Sequence, residues 1–272
     1  MTRQELIAEI HRKQSFLCIG LDPELDKIPS HLKTFDDPIF EFNKRIIDAT
    51  AEYAVAFKPN TAFYEAQGVR GWETLEKTLN YIPKNCFVIA DAKRGDIGNT
   101  AFNYAKTFFE ALRCDAVTVA PYMGKDSVEP FLQFKDKWAI VLGLTSNEGA
   151  QDFQYRTDVH NQPLFSQIIE KVAQWGTKDN LMFVVGATRS EELRQIRFLV
   201  PHHFLLIPGV GVQGGSLRQV VEAGMNEDVG LLINASRSII YASSGEDFDK
   251  IAKKEALNLQ AEMGLYLQRL KR

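Results

Sequence analysis

With 272 residues, 45% of them hydrophobic and 25% charged, the chain has the composition of a globular protein able to bury one large core, which sets aside disordered and fibrous classes. A formal net charge of -3 gives no electrostatic reason to expect nucleic acid as a partner. No apolar run reaches the roughly 20 residues of a membrane-spanning helix, and the opening Met-Thr-Arg-Gln-Glu-Leu lacks a signal peptide's apolar centre, so no membrane partner and a cytoplasmic location are expected.

In chain order, Thr2-Arg-Gln-Glu5 reads as a capping box opening a helix through about Lys13. Eight short apolar runs follow: Ser15–Asp22, Ala54–Lys58, Phe87–Asp91, Ala116–Ala120, Ala139–Gly143, Leu181–Val185, Phe204–Ile207 and Gly230–Asn234. Segments with helical spacing lie between them, such as Pro38–Ala51 and Leu164–Trp175. Strands apolar on both faces, alternating with amphipathic helices, imply parallel βαβ units. Eight of them predict an α/β protein of the (β/α)8 TIM-barrel class, a single domain over 1–272, and no GxGxxG follows the first strand to favour an open doubly wound sheet.

Ser146–Pro163 is long, polar and poorly periodic, which fits an active-site lid and a surface excursion equally. Glu246–Arg272 reads as a long helix completing the outer ring. Cys18, Cys86 and Cys114 lack CxxC spacing and read as core residues, and the five histidines form no HxxxH pattern, so no metal site is expected.

In such barrels the chemistry gathers at the C-terminal ends of the strands. The first strand delivers Asp22 there, the second Lys58, the third Asp91 and Lys93, with Asp96 just beyond. Alternation along an extended strand points Asp91 and Lys93 the same way. Opposite unit charges about 4 Å apart attract by roughly 4 kcal/mol at an effective dielectric near 20. Two lysines alternating with two carboxylates therefore stay protonated, poised to hand a proton to a carbanion rather than to form a Schiff base. The carboxylates would also repel a substrate carboxylate, a repulsion that vanishes if the substrate loses carbon dioxide. A surface ion-pair network is the plainer alternative.

The seventh strand runs into Pro208-Gly-Val-Gly-Val-Gln213-Gly214-Gly215, and the eighth into Asn234-Ala-Ser-Arg237. Phosphate sites in many barrels are built from these two loops. The glycines let backbone N–H groups approach an anion, Arg237 adds a fork of donors, and Ser236-Arg237-Ser-Ile-Ile is expected to open a short helix. Glycines serving only a tight turn are the alternative.

The run Asp91-Ala-Lys93-Arg-Gly-Asp96-Ile97-Gly-Asn-Thr100 resembles the signature of the orotidine 5'-phosphate decarboxylase family. Gly20-Leu-Asp22-Pro, Phe57-Lys58-Pro-Asn-Thr-Ala-Phe-Tyr-Glu65, Pro208–Gly215 and Ser236-Arg237-Ser-Ile-Ile are also similar to that family, in its longer bacterial form. Val212 and Ala235 depart from it, where alanine and serine are more usual. The resemblance implies cofactor-free decarboxylation of orotidine 5'-monophosphate, the last step of pyrimidine biosynthesis. It makes Lys93 the acid that protonates C6, sets Asp91 against the departing carboxylate, and has Lys58 complete the array. Asp96, Ile97 and Thr100 are expected to reach across a homodimer. Asp22 is expected at a ribose hydroxyl, Ser146 at the pyrimidine edge, Gln213 at the phosphate and the base, and Gly214, Gly215 and Arg237 at the phosphate end. The alternatives are a metal-dependent sugar-phosphate decarboxylase or aldolase of the same superfamily, and a catalytically silent barrel acting as a binding protein.

Overall fold

The computed structural model describes residues 1–186, 190–209 and 216–270. Eight strands form: β1 (Leu17–Leu21), β2 (Ala56–Pro59), β3 (Phe87–Arg94), β4 (Ala116–Val119), β5 (Trp138–Leu144), β6 (Leu181–Val185), β7 (Phe204–Pro208) and β8 (Leu231–Ala235). All pair in parallel with their neighbours in sequence, and β8 closes on β1 through Leu17 opposite Ile233 and Cys18 opposite Asn234. The (β/α)8 barrel expected from the repeating pattern is the fold. β1, β4, β6 and β8 are buried along their whole length, as strands packed between a filled interior and a ring of helices must be.

The helices form where local chemistry directs them. Thr2 accepts the Glu5 N–H while Glu5 accepts the Thr2 N–H, and this capping box starts the helix Arg3–Lys13. That helix lies across the N-terminal end of the barrel. Its Arg3 guanidinium donates to the carbonyls of Lys178 and His202 and pairs with Asp228, tying it to the loops before β6, β7 and β8. The helix Pro38–Thr50 begins at Asp37, whose carboxylate accepts the Phe40 N–H, and has proline in its first turn. It buries Ile39, Phe42, Ile46 and Ile47, each worth about 1.5–3 kcal/mol when fully buried. The last helix, Phe248–Leu270, stacks Phe248 on Phe42 at 5.2 Å between ring centroids and completes the outer ring beside β1.

Three features of the fold bear on function, and the first departs from the strand end expected at Asp91. β3 does not stop at Asp91. After Ala90 pairs with Val117, the next partner on β4 is Arg94 with Val119, so Asp91, Ala92 and Lys93 bulge out opposite Thr118 alone. The polar segment after β5 is not structureless: it carries a helical turn, Ala150–Phe153, and is pinned to the strand end by Gln154, which accepts the Thr145 N–H and donates to the Thr145 hydroxyl. The helix after β8, Arg237–Ile240, is only four residues long.

Candidate active site

Asp91 lies at the centre of the C-terminal rim. Its Oδ2 accepts from Lys58 Nζ at 2.7 Å, and its Oδ1 accepts from Lys93 Nζ at 2.6 Å and from the Thr118 hydroxyl at 3.0 Å. Adjacent parallel strands bring these groups together from positions 58, 91 and 118. The side chains of Lys58 and Asp91 are 6% and 11% exposed, whereas Lys93 is 49% exposed and faces the opening. Asp91 and Lys93 do meet, as alternation required, but through the bulge. Lys93 has φ 45°, in the left-handed region that costs an L-residue roughly 1–2 kcal/mol, and its N–H is received by the Thr118 hydroxyl at 2.8 Å.

Burial opposes both charges and pairing outweighs it. Desolvation pushes the Asp91 carboxyl up, yet Lys58 and then Lys93 hold it well below the usual carboxylate range. Desolvation pulls the Lys58 ammonium down, and Asp91 followed by Asp22 raises it above the ordinary lysine value. Beneath the pair, burial pushes the Cys18 thiol up to about 12, so it stays a neutral packing group. The other two cysteines are buried thiols as well.

Asp22 stands at the exit of β1, with one carboxylate oxygen buried and without a hydrogen-bond partner. Beside it, Gly20 leaves room for the chain leaving β8: a Cβ at Gly20 would fall 1.8 Å from Ser236 Oγ. The next residue, Arg237, is exposed on the same rim. With so short a helix behind it, any attraction for phosphate there rests on the guanidinium rather than on a helix dipole. Ser146 is exposed beyond β5, its backbone packed against Gly186 after β6. At the end of β7, Gly209 takes φ 93°, a conformation that suits glycine. Gln213, Gly214 and Gly215 lie outside the described residues.

Asp96 does not join the array of its own chain. Its Oδ1 accepts the Ile97 N–H, and it forms no ion pair with Lys58 or Lys93. Ile97 and Thr100 stand beside it, both exposed, where the helix Gly98–Lys106 begins. Among the described residues no three His, Cys, Asp or Glu side chains converge as metal ligands.

Two participants were not singled out from sequence. Thr118 was visible as the lone hydroxyl in Ala116-Val-Thr-Val119, a signal that could have marked it. Arg94 pairs with Glu65 and lies over the rings of Tyr104 and Phe108, at 5.4 and 5.5 Å, which fastens the end of β3 to the helical turn after β2. Nothing in the spacing of those residues foretells that contact.

A family model described as Orotidine 5'-phosphate decarboxylase / HUMPS family matches residues 15–248. The orotidine 5'-phosphate decarboxylase of Flavobacterium johnsoniae is 58% identical over 266 residues, covering 97% of each chain. That of Phocaeicola vulgatus is 54% identical, over 97% of this chain and 98% of its own. The OMP decarboxylase structure from Leishmania donovani superimposes with a TM-score of 0.81 at 36% identity, covering 96% of this chain and 99% of that one. A match of this extent, over a barrel whose rim carries the Lys58–Asp91–Lys93 array, means that the chain belongs to the orotidine 5'-phosphate decarboxylase / HUMPS family.

Proposed function

We propose that this chain, acting as one catalytic domain, decarboxylates orotidine 5'-monophosphate to uridine 5'-monophosphate in the cytoplasm, with Lys58, Asp91 and Lys93 carrying the chemistry. The observation that bears most weight is the Asp91 carboxylate clamped between two ammonium groups at 2.7 and 2.6 Å on the barrel rim. A substrate carboxylate on C6 meets Asp91 at close range, and the repulsion is relieved as the C6–CO2 bond breaks. The bonding pair stays on C6, and Lys93, half exposed and nearest the opening, delivers a proton from Nζ to that carbon. Lys58 keeps Asp91 ionised and stationary. Binding energy from the remote phosphate at Arg237 and the segment after β7 holds the carboxylate in this hostile position, which raises the rate of the chemical step rather than only tightening binding.

The substrate's ribose falls to Asp22, whose unpartnered buried oxygen is suited to a hydroxyl donor, and the pyrimidine edge to Ser146. Gln213, Gly214 and Gly215 are assigned to the phosphate with Arg237. Asp96, Ile97 and Thr100 serve the site of a second copy in a homodimer, which gives a purpose to a carboxylate that pairs with neither lysine of its own chain. The alternative is a metal-dependent sugar-phosphate decarboxylase or aldolase of the same superfamily. Such enzymes generally carry an acidic ligand at the end of β2, and this chain has a buried lysine there, already committed to Asp91.

The experiment is to mix the purified protein with orotidine 5'-monophosphate and follow the ultraviolet absorbance as uridylate forms, with and without a chelator. Turnover should be rapid and indifferent to the chelator. In Lys93→Ala it should fall below detection while uridylate still binds. Near-full activity in that variant refutes the role of Lys93, and activity that vanishes with the chelator and returns with magnesium refutes the metal-free reading.

A further inference from the structure

Thr118 is fully buried in β4 and is the only β4 residue facing the bulge of β3. Its hydroxyl accepts the Lys93 N–H at 2.8 Å and lies 3.0 Å from Asp91 Oδ1. The directions of these bonds are fixed by chemistry. A backbone N–H can only donate, so the single hydroxyl proton is left for Asp91, and an ionised carboxylate can only accept. One hydroxyl therefore ties two things together: the left-handed backbone of Lys93 and the plane of the Asp91 carboxylate. With Lys58 on Oδ2 and both Lys93 Nζ and Thr118 on Oδ1, the carboxylate has no freedom to turn.

We infer that Thr118 is a positioning residue for the reaction, acting on the substrate only through Asp91 and Lys93. The inference rests on the decarboxylation proposed above. A carboxylate free to rotate turns away from the substrate's carboxylate and releases the repulsion before the C6–CO2 bond breaks. A Lys93 backbone without its anchor lets the ammonium drift from C6. Both losses fall on the chemical step. Neither touches the anchoring of phosphate at Arg237, on the side of the rim where β8 meets β1.

The test compares wild type, Thr118→Val and Thr118→Ser for kcat on orotidine 5'-monophosphate and for Kd of uridylate. Valine keeps the branched shape and removes the hydroxyl; serine keeps the hydroxyl. A hydrogen bond to a charged group is worth about 10- to 100-fold in an equilibrium, so kcat should fall by about that factor in Thr118→Val while uridylate Kd stays within about threefold. Thr118→Ser should remain within about threefold of wild type in both. A purely structural role lowers the melting temperature and leaves kcat per folded molecule unchanged in both variants. The inference is overturned if Thr118→Val keeps kcat within about twofold, if valine and serine lose equally, or if uridylate affinity falls in step with kcat. If Thr118→Val does not fold, Thr118→Ala against Thr118→Ser reads the same difference. A wild type with no turnover sinks the decarboxylation reading and this inference with it, whereas an active wild type beside an equally active valine variant sinks this inference alone.

Discussion

Replacing Asp91 by asparagine removes one negative charge while keeping the shape of the side chain and an oxygen for the Thr118 hydroxyl. The cost falls on Lys58, which is 6% exposed, has the Asp91 carboxylate at 2.7 Å and has Asp22 as its next source of negative charge. Unit charges about 3 Å apart attract by roughly 5 kcal/mol at an effective dielectric near 20, and Asp22 retains part of that for Lys58. Removing one member of a buried pair costs about 3–5 kcal/mol, because the remaining charge is left without compensation. At about 2–3 °C per kcal/mol for a chain of this size, Asp91→Asn should melt about 6–15 °C below wild type at pH 7. The deficit should shrink in acid. The folded Asp91 carboxyl titrates below its unfolded value, so its contribution is complete above about pH 5 and is lost as the pH falls through about 4 and below. The double variant Lys58→Met/Asp91→Asn should recover most of the loss, since no buried ion remains unpaired. Thermal unfolding followed by circular dichroism decides the matter: a single variant within about 2 °C of wild type, or a double variant less stable than the single, refutes the account of the pair.

Arg237→Ala should weaken uridylate binding severely and leave the affinity for uridine, which lacks the phosphate, almost unchanged; calorimetry with both ligands measures this, and equal losses would remove Arg237 from the phosphate subsite. At the other end of the barrel, burial first, and then Arg197 and Arg3, push the His203 imidazole down to about 4. The unfolded ring takes up a proton near pH 6.5 and the folded one resists, so stability is complete above about 6.5 and declines as the pH falls toward 4. His203→Phe, in a site where the ring already meets Phe183 edge-on at 5.7 Å, should flatten that part of the profile of melting temperature against pH. An unchanged slope would mean that other groups set it.

The barrel could be read from sequence because the strands are largely buried on both faces and each announces itself as a short apolar run between helical periods. The rim residues Asp22, Lys58 and Asp91 could be read because such a run must end where its charges begin. The bulge in β3 could not. It arises from the offset between two registers, Ala90 with Val117 and Arg94 with Val119, and neither strand signals that offset in its own composition. Lys93 thus faces Asp91 as alternation required, with a backbone that alternation does not supply. The Arg94–Glu65 pair escaped because its members approach only once the turn after β2 has folded back over β3. Ser146–Pro163 left lid and excursion equally open because polarity and length say nothing about the two bonds by which Gln154 fastens it to Thr145. Asp96 was legible as a charge near the site, but spacing alone does not reveal that its carboxylate turns to the Ile97 N–H instead of joining Lys58 and Lys93.

The close approach of Gly20 and Ser236 has a bearing on when the site comes into being. Asp22 leaves β1 near the start of the chain and Arg237 leaves β8 near its end, and they share a rim only after Leu17 has paired with Ile233. Contacts so far apart in sequence form late, since the loop entropy must be met before any pairing rewards it. The Lys58–Asp91–Lys93 centre is assembled from neighbouring strands, whereas the proposed ribose and phosphate contacts need the β1–β8 seam. The two halves of the proposed site thus rest on contacts of very different range, one between neighbouring strands and the other between the first strand and the last.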